Sequence, residues 1–145
     1  MAQIETRGLT RTFGEVRAVD GVDLVVRPGG LTGFVGGNGA GKTTTMRMVM
    51  GVLRPDAGEV LWGDRPMTAA DRQRFGYMPE ERGLYPKMKV LDQIVYLARL
   101  HGYSKPDAIR EATSILEQLG LGERLGDNVE TLSLGNQQRA QIAAA

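Results

Sequence analysis

The chain is predicted to fold as an α/β domain, and two observations carry that prediction. An apolar run, Leu31-Thr32-Gly33-Phe34-Val35, leads straight into the glycine-rich stretch Gly36-Gly37-Asn38-Gly39-Ala40-Gly41-Lys42-Thr43, with helical spacing from Lys42 to about Gly51. Segments before residue 36 alternate polar and apolar residues at the period of strands, whereas those beyond residue 85 follow the 3.6 period of helices. Residues 1–85 are therefore expected to form a strand-rich core, with antiparallel strands at its N-terminus, around the glycine loop. Residues 86–145 are expected to form a helical subdomain.

The elements follow in order. Strands are expected around residues 4–9, 16–19 and 22–26, and Pro28-Gly29-Gly30 breaks the pattern before a buried strand over residues 31–35. Helical spacing then runs to Gly51, a plausible stop. Met46, Met48 and Met50 fall two apart, so they cannot share one helix face, and they are read as packing residues. Asp56-Ala57-Gly58 forms a turn, residues 59–62 a strand, Gly63-Asp64 a second turn, and residues 74–78 a buried strand that ends at Pro79. Residues 90–101 place apolar side chains at 91, 94, 95 and 98, one stripe of a helix. Ser104-Lys105-Pro106-Asp107 opens the next helix with a capping-box pattern. Its apolar face runs through Ile109, Ala112, Leu116 and Leu119 to Gly120, which suits a left-handed C-terminal position. His101, the single histidine, sits near a helix end without a second ligand at metal spacing and reads as a surface residue.

Bulk properties narrow the function classes. At 145 residues the chain is about one domain long. Its 18 basic and 17 acidic residues nearly cancel, so no nucleic acid partner is implied. The absence of cysteine excludes disulfides and thiolate metal sites. No apolar run approaches the ~20 residues that span a bilayer, and Met1-Ala2-Gln3-Ile4-Glu5 does not read as a signal peptide.

The chemistry is concentrated in the glycine loop. Glycines let the backbone curl so that successive N–H groups face inward and cradle phosphate oxygens. Lys42 supplies a point charge for the outer phosphates, the Thr43 hydroxyl suits Mg²⁺, and the following helix aims its positive end at the same spot. A second stretch, Leu132-Ser133-Leu134-Gly135-Asn136-Gln137-Gln138-Arg139, leads from a serine–glycine turn into a helix expected to begin near Asn136. Taken alone, this is better read as an ordinary helix cap than as an anion site.

With these motifs in this order, the whole chain resembles the ATP-binding subunit of ABC transporters, a P-loop NTPase fold. Phe13, within Thr10-Arg11-Thr12-Phe13-Gly14, matches the family's aromatic that stacks on adenine. Gly36, Gly37, Asn38, Gly39, Ala40, Gly41, Lys42, Thr43 and Thr44 match its phosphate loop, Walker A. Gly76-Tyr77-Met78-Pro79-Glu80 matches the segment that usually ends in glutamine. Ser133, Gly135, Asn136 and Gln137 fall in the family signature, where Leu134 replaces a usual glycine and Asn136 a usual glutamine. The resemblance implies a signature loop that contacts the γ-phosphate held by a partner subunit, so that two chains sandwich two nucleotides head to tail. It also implies ATP and Mg²⁺ as cofactors, with Thr43 and Glu80 toward the metal. A membrane-spanning partner would be met by residues 86–140, with the Glu80 loop as hinge, on the inner face of the cell membrane. The run Pro79-Glu80-Glu81-Arg82-Gly83-Leu84-Tyr85-Pro86 is similar to exporter-type subunits related to drug and sodium extrusion; without the family, Glu80 to Arg82 read as a solvated charged loop.

In the family, the strand carrying the metal-positioning aspartate and catalytic glutamate (Walker B) follows the signature helix, and a switch histidine comes later. Neither lies within these residues. The expectation is a chain truncated before that strand, which binds Mg-ATP at most and does not turn it over. Two other readings remain open. One is a non-transport member of the same ATPase superfamily, although no heptad run lies between Lys42 and Leu132. The other is a binding module that senses nucleotide without hydrolysing it.

Overall fold

The computed structural model describes residues 2–80 and 83–145. Met1 lies outside the described residues, as do Glu81 and Arg82 of the charged run 79–86. The chain divides into two compact units, Met1–Phe75 and Gly76–Ala145, with the division ten residues before the composition turns helical.

The first unit is built on a four-stranded antiparallel sheet: β1 (Ile4–Phe13), β2 (Val16–Val26), β3 (Ala57–Trp62) and β4 (Arg65–Pro66), in spatial order β2-β1-β3-β4. The two strands expected over 16–19 and 22–26 are one continuous strand. It pairs with β1 from Ile4↔Val26 to Phe13↔Val16, with register shifts that absorb the interruption. Thr6, fully buried, donates its hydroxyl to the Val22 carbonyl at 3.0 Å and so loses no hydrogen bond on burial. Helix α1 (Lys42–Val49) packs Met48 and Val49 against Leu9, Val19 and Val60. Fully burying one such side chain stabilises by roughly 1.5–3 kcal/mol. Of the three methionines only Met48 is core; Met46 is exposed, because residues two apart on a helix point to different sides. Helix α2 (Ala69–Arg72) is a single turn, and Trp62 meets Phe75 edge to face at 5.1 Å.

Two expected strands do not form. Residues 31–35 carry no regular structure and pair with no described strand, and Leu31 and Val35 stand open to solvent. A strand needs a neighbour, and no described strand lies alongside this run to receive its hydrogen bonds. Residues 74–78 fail for a different reason. The Arg74 and Phe75 amides donate back to the Asp71 and Arg72 carbonyls at 3.1 Å, which continues the α2 turn and takes donors that a ladder would need.

The second unit packs α3 (Val90–Leu100), α4 (Lys105–Gln118) and α5 (Leu134–Ala144), with 3₁₀ turns at Gly122–Arg124 and Val129–Thr131. Its core gathers Val90, Ile94, Ala112, Leu116, Leu121, Val129, Leu132 and Ala140. The α4 start is as its pattern predicts: Ser104 Oγ accepts from the Asp107 amide and donates to the Asp107 carboxylate at 2.5 Å. Ala108, not Ile109, fills the buried face of that first turn, and Ile109 is exposed. Gly120 takes the expected left-handed conformation at φ 73°. Among the described residues, no helix is long and apolar enough to cross a membrane.

Candidate functional site

The glycine loop closes by using its own backbone. Gly39 and Gly41 both sit at φ 80°, a left-handed conformation that lets the chain reverse within three residues. Gly41 is also the N-cap of α1, and a Cβ there would overlap the Ala18 carbonyl oxygen and touch the Val19 side chain of β2. The glycine thus serves close packing of helix on sheet as well as the turn. No side chain caps α1 and its first turn carries no acid, so the first-turn N–H groups are left to an external acceptor. The Lys42 ammonium bridges the loop, donating to the Gly36 carbonyl at 2.7 Å and the Gly37 carbonyl at 2.6 Å. Both acceptors are neutral, so an incoming phosphate oxygen would exchange them for a stronger charge-assisted bond. Thr43 is exposed and its hydroxyl bonds to no described group; Thr44 is half-buried, and Thr45 is locked in the core.

Phe13 ends β1 opposite Val16, and Gly41 packs on Ala18 and Val19 of the same hairpin. The aromatic and the phosphate loop therefore occupy one end of the first unit. Phe13 is 47% exposed and carries the Arg11 guanidinium over one ring face, 4.9 Å from the centroid. Sequence reasoning does not single out Arg11. The available signal is its i, i+2 relation to an aromatic on a strand, which places both on one face.

The remaining candidates belong to the second unit. Glu80 is exposed, and its neighbour Pro79 accepts a hydrogen bond at 2.9 Å from the buried Gln141 amide of α5. Gln93 of α3, also buried, accepts from the Tyr85 amide at 2.5 Å. Two glutamines that no sequence motif marks thus hold the backbone at Pro79 and at Tyr85. The signature helix begins at Leu134, two residues earlier than expected, because Ser133 is its cap: Ser133 Oγ accepts from the Asn136 amide at 3.4 Å. Gln137 donates its side-chain amide to the Leu132 carbonyl at 3.0 Å, Asn136 is half-buried, and Gly135 and Leu134 face solvent. Among the described residues no three acidic or histidine side chains gather as a metal site. The clearly perturbed acids serve helix starts instead. Asp71 is held far below the ordinary carboxylate range by the Arg65 guanidinium first and then by the Thr68 hydroxyl and amide. Asp107 is lowered by Ser104 and then Arg110.

Comparison with known proteins adds to this geometry. The family model described as ABC transporter matches residues 19–145. Over 94% of its length the chain is 48% identical to the uncharacterized ABC transporter ATP-binding protein YhaQ of Bacillus subtilis (strain 168), covering 46% of that protein. It is 36% identical to the daunorubicin/doxorubicin resistance ATP-binding protein DrrA of Streptomyces peucetius, across 98% of this chain and 44% of the relative. The solved structure of MJ1267, an ATP-binding cassette of an ABC transporter, superposes on the whole chain with a TM-score of 0.83 at 26% identity, and the chain covers 64% of it. The chain spans about half the length of the curated relatives it matches.

Proposed function

The chain belongs to the ABC transporter ATP-binding family, and from that premise we propose that its loop over residues 36–44 and Phe13 together hold Mg-ATP for a transport ATPase. The observation that carries the reading is the start of α1. There an uncapped helix N-terminus, two left-handed glycines and a lysine that bonds only neutral carbonyls converge on one point. A triphosphate is the ligand whose charge and reach suit that arrangement. The phosphates would meet the first-turn amides and Lys42, and the base would meet Phe13. Bound Mg²⁺ supplies charge neutralisation on the phosphates. Thr43 offers it an unengaged hydroxyl, and Thr44 adds a hydroxyl at the loop's edge; Glu80, in the second unit, is assigned to the metal by the family resemblance alone.

In the whole protein, the proposal is ATP hydrolysis at a head-to-tail interface. There Ser133, Gly135, Asn136 and Gln137 would face the γ-phosphate of a partner chain, either a second copy or a second ATP-binding subunit. The open surface at Gly135, where a methyl group would meet nothing within 4 Å, is compatible with close approach of a phosphate. A membrane-spanning subunit on the inner face of the cell membrane would be the mechanical partner, and the likeness of residues 79–86 to exporter-type subunits is what favours export. Within these residues the roles assigned are positional, and none activates water. Steady phosphate release from this chain alone is therefore expected to be negligible.

Calorimetric titration of Mg-ATP tests the reading. Lys42→Ala is expected to weaken binding by about 100-fold, since it removes the one charge the loop offers. Equal affinity in parent and variant would sink the phosphate-loop assignment. In the same titration, Glu80→Gln with an unchanged Mg²⁺ requirement would remove Glu80 from the metal site.

A further inference from the structure

In the first unit a turn, an arginine and an aromatic ring form an assembly of which the nucleotide reading uses only the ring. Arg11 lies over one face of Phe13 within cation–π distance, at 4.9 Å. Its guanidinium is anchored by Asp56 Oδ1 at 2.5 Å and by the Arg54 carbonyl at 3.2 Å. The other Asp56 oxygen accepts the Thr12 amide at 2.7 Å, so the anchor is itself fixed to the strand residue between Arg11 and Phe13. Among the described residues, the Arg11 Nε is buried without a hydrogen-bond acceptor. The side chain thus keeps its place over the ring at the cost of one unsatisfied donor. Phe13 nevertheless remains 47% exposed, which leaves ring surface open away from the cation.

We propose that Arg11 is a positioning residue for recognition of the nucleotide base. It backs Phe13 on one face so that the opposite face stands fixed, with its π density drawn toward the cation, as a stacking platform for the electron-rich purine of ATP. The inference rests on the assignment of Phe13 to the base. A ring already held in its binding orientation loses less freedom when the base arrives, and stacking is sequence-tolerant because it needs only a π face. Asp56 acts one step further back by holding the guanidinium.

The test compares ATP with inorganic tripolyphosphate, each titrated with Mg²⁺ into this chain. Tripolyphosphate engages the phosphate loop but has no base. Phe13→Ala is expected to weaken ATP by about tenfold, and Arg11→Met by about 2–5-fold, the range of a cation–π contact at an exposed site. Tripolyphosphate affinity should be unchanged in both, and Arg11→Lys should restore part of the loss. If Phe13→Ala weakens ATP while Arg11→Met does not, the Arg11 assignment falls and Phe13 stands. If Phe13→Ala has no effect on ATP, both assignments fall. Should Arg11→Met lose both ligands through misfolding, Asp56→Asn decides, since it keeps an acceptor for the Thr12 amide but drops the ion pair. A selective loss of ATP supports the proposal, and no selective loss overturns it.

Discussion

Two helices in this chain begin at turns with the same electrostatic potential for an anion, and they treat their first-turn amides in opposite ways. Helix α1 starts at Gly41, in a left-handed conformation and with no side-chain acceptor for its first-turn donors. Helix α5 starts at Ser133, whose hydroxyl already accepts the Asn136 amide. The first start leaves its donors without a side-chain acceptor, as the proposed nucleotide site requires. The second is stable without an external acceptor, as befits a loop whose proposed phosphate comes with another subunit. Glycine and serine at a cap are therefore not equivalent devices: one exports the hydrogen-bonding requirement and the other meets it internally.

The same substitution at the two starts should break this symmetry most visibly. Gly41→Ala forces a left-handed alanine and drives a methyl into the Ala18 carbonyl. A loss of about 2 kcal/mol or more in the first unit is expected, with nucleotide binding lost alongside it. Gly135→Ala meets nothing within 4 Å and has no positive φ, so it should gain up to about 1 kcal/mol. Denaturant unfolding of the two variants checks both signs. Next in size is Ser133→Ala, expected to cost about 1 kcal/mol in the second unit while leaving Mg-ATP affinity of the isolated chain unchanged. A coincident drop in affinity would mean the two starts are not independent.

The smallest effect compares two acids that cap short-range turns, one in each unit. Asp71 takes both guanidinium nitrogens of Arg65 at 2.7 Å, whereas Asp107, nearly half-exposed, pairs with Ser104 and Arg110. Both folded-state pKa values are depressed, Asp71 by more. Their stabilising contributions are complete above the ordinary carboxylate pKa of about 4 and are lost as pH falls from there toward the folded values. Between about pH 5 and pH 2, Asp71→Asn should flatten the acid limb of thermal stability more than Asp107→Asn. Equal flattening would show that the bidentate pair adds nothing over the exposed one.

Much of the fold is legible in the sequence where structure is set locally. The glycine loop, the Ser104 cap and the Gly51 and Gly120 stops rest on local backbone conformation, and the hairpin strands are joined by a two-residue connection; such patterns are read directly. What the sequence misjudges depends on which groups claim the backbone donors, whether near or far along the chain. The run 31–35 has the right side chains for a strand, but a ladder is a property of two segments and no described neighbour pairs with it. Residues 74–78 look apolar enough for a strand, yet α2 claims the amides of Arg74 and Phe75. At the candidate site the motif residues stand out in the sequence as a set, while their supports do not. Arg11, Gln93 and Gln141 act on backbone or ring atoms that no spacing rule connects to them.

The fit of Gly41 against Ala18 has a consequence for how this chain can vary over generations. The position is held twice, once by the anion it is proposed to bind and once by the hairpin it touches. A descendant that no longer needed nucleotide would still be penalised for any side chain there, because the helix would be pushed from its sheet. An intact glycine at this point in a divergent copy would therefore testify to folding alone, and the state of Lys42 would be the better witness of retained activity.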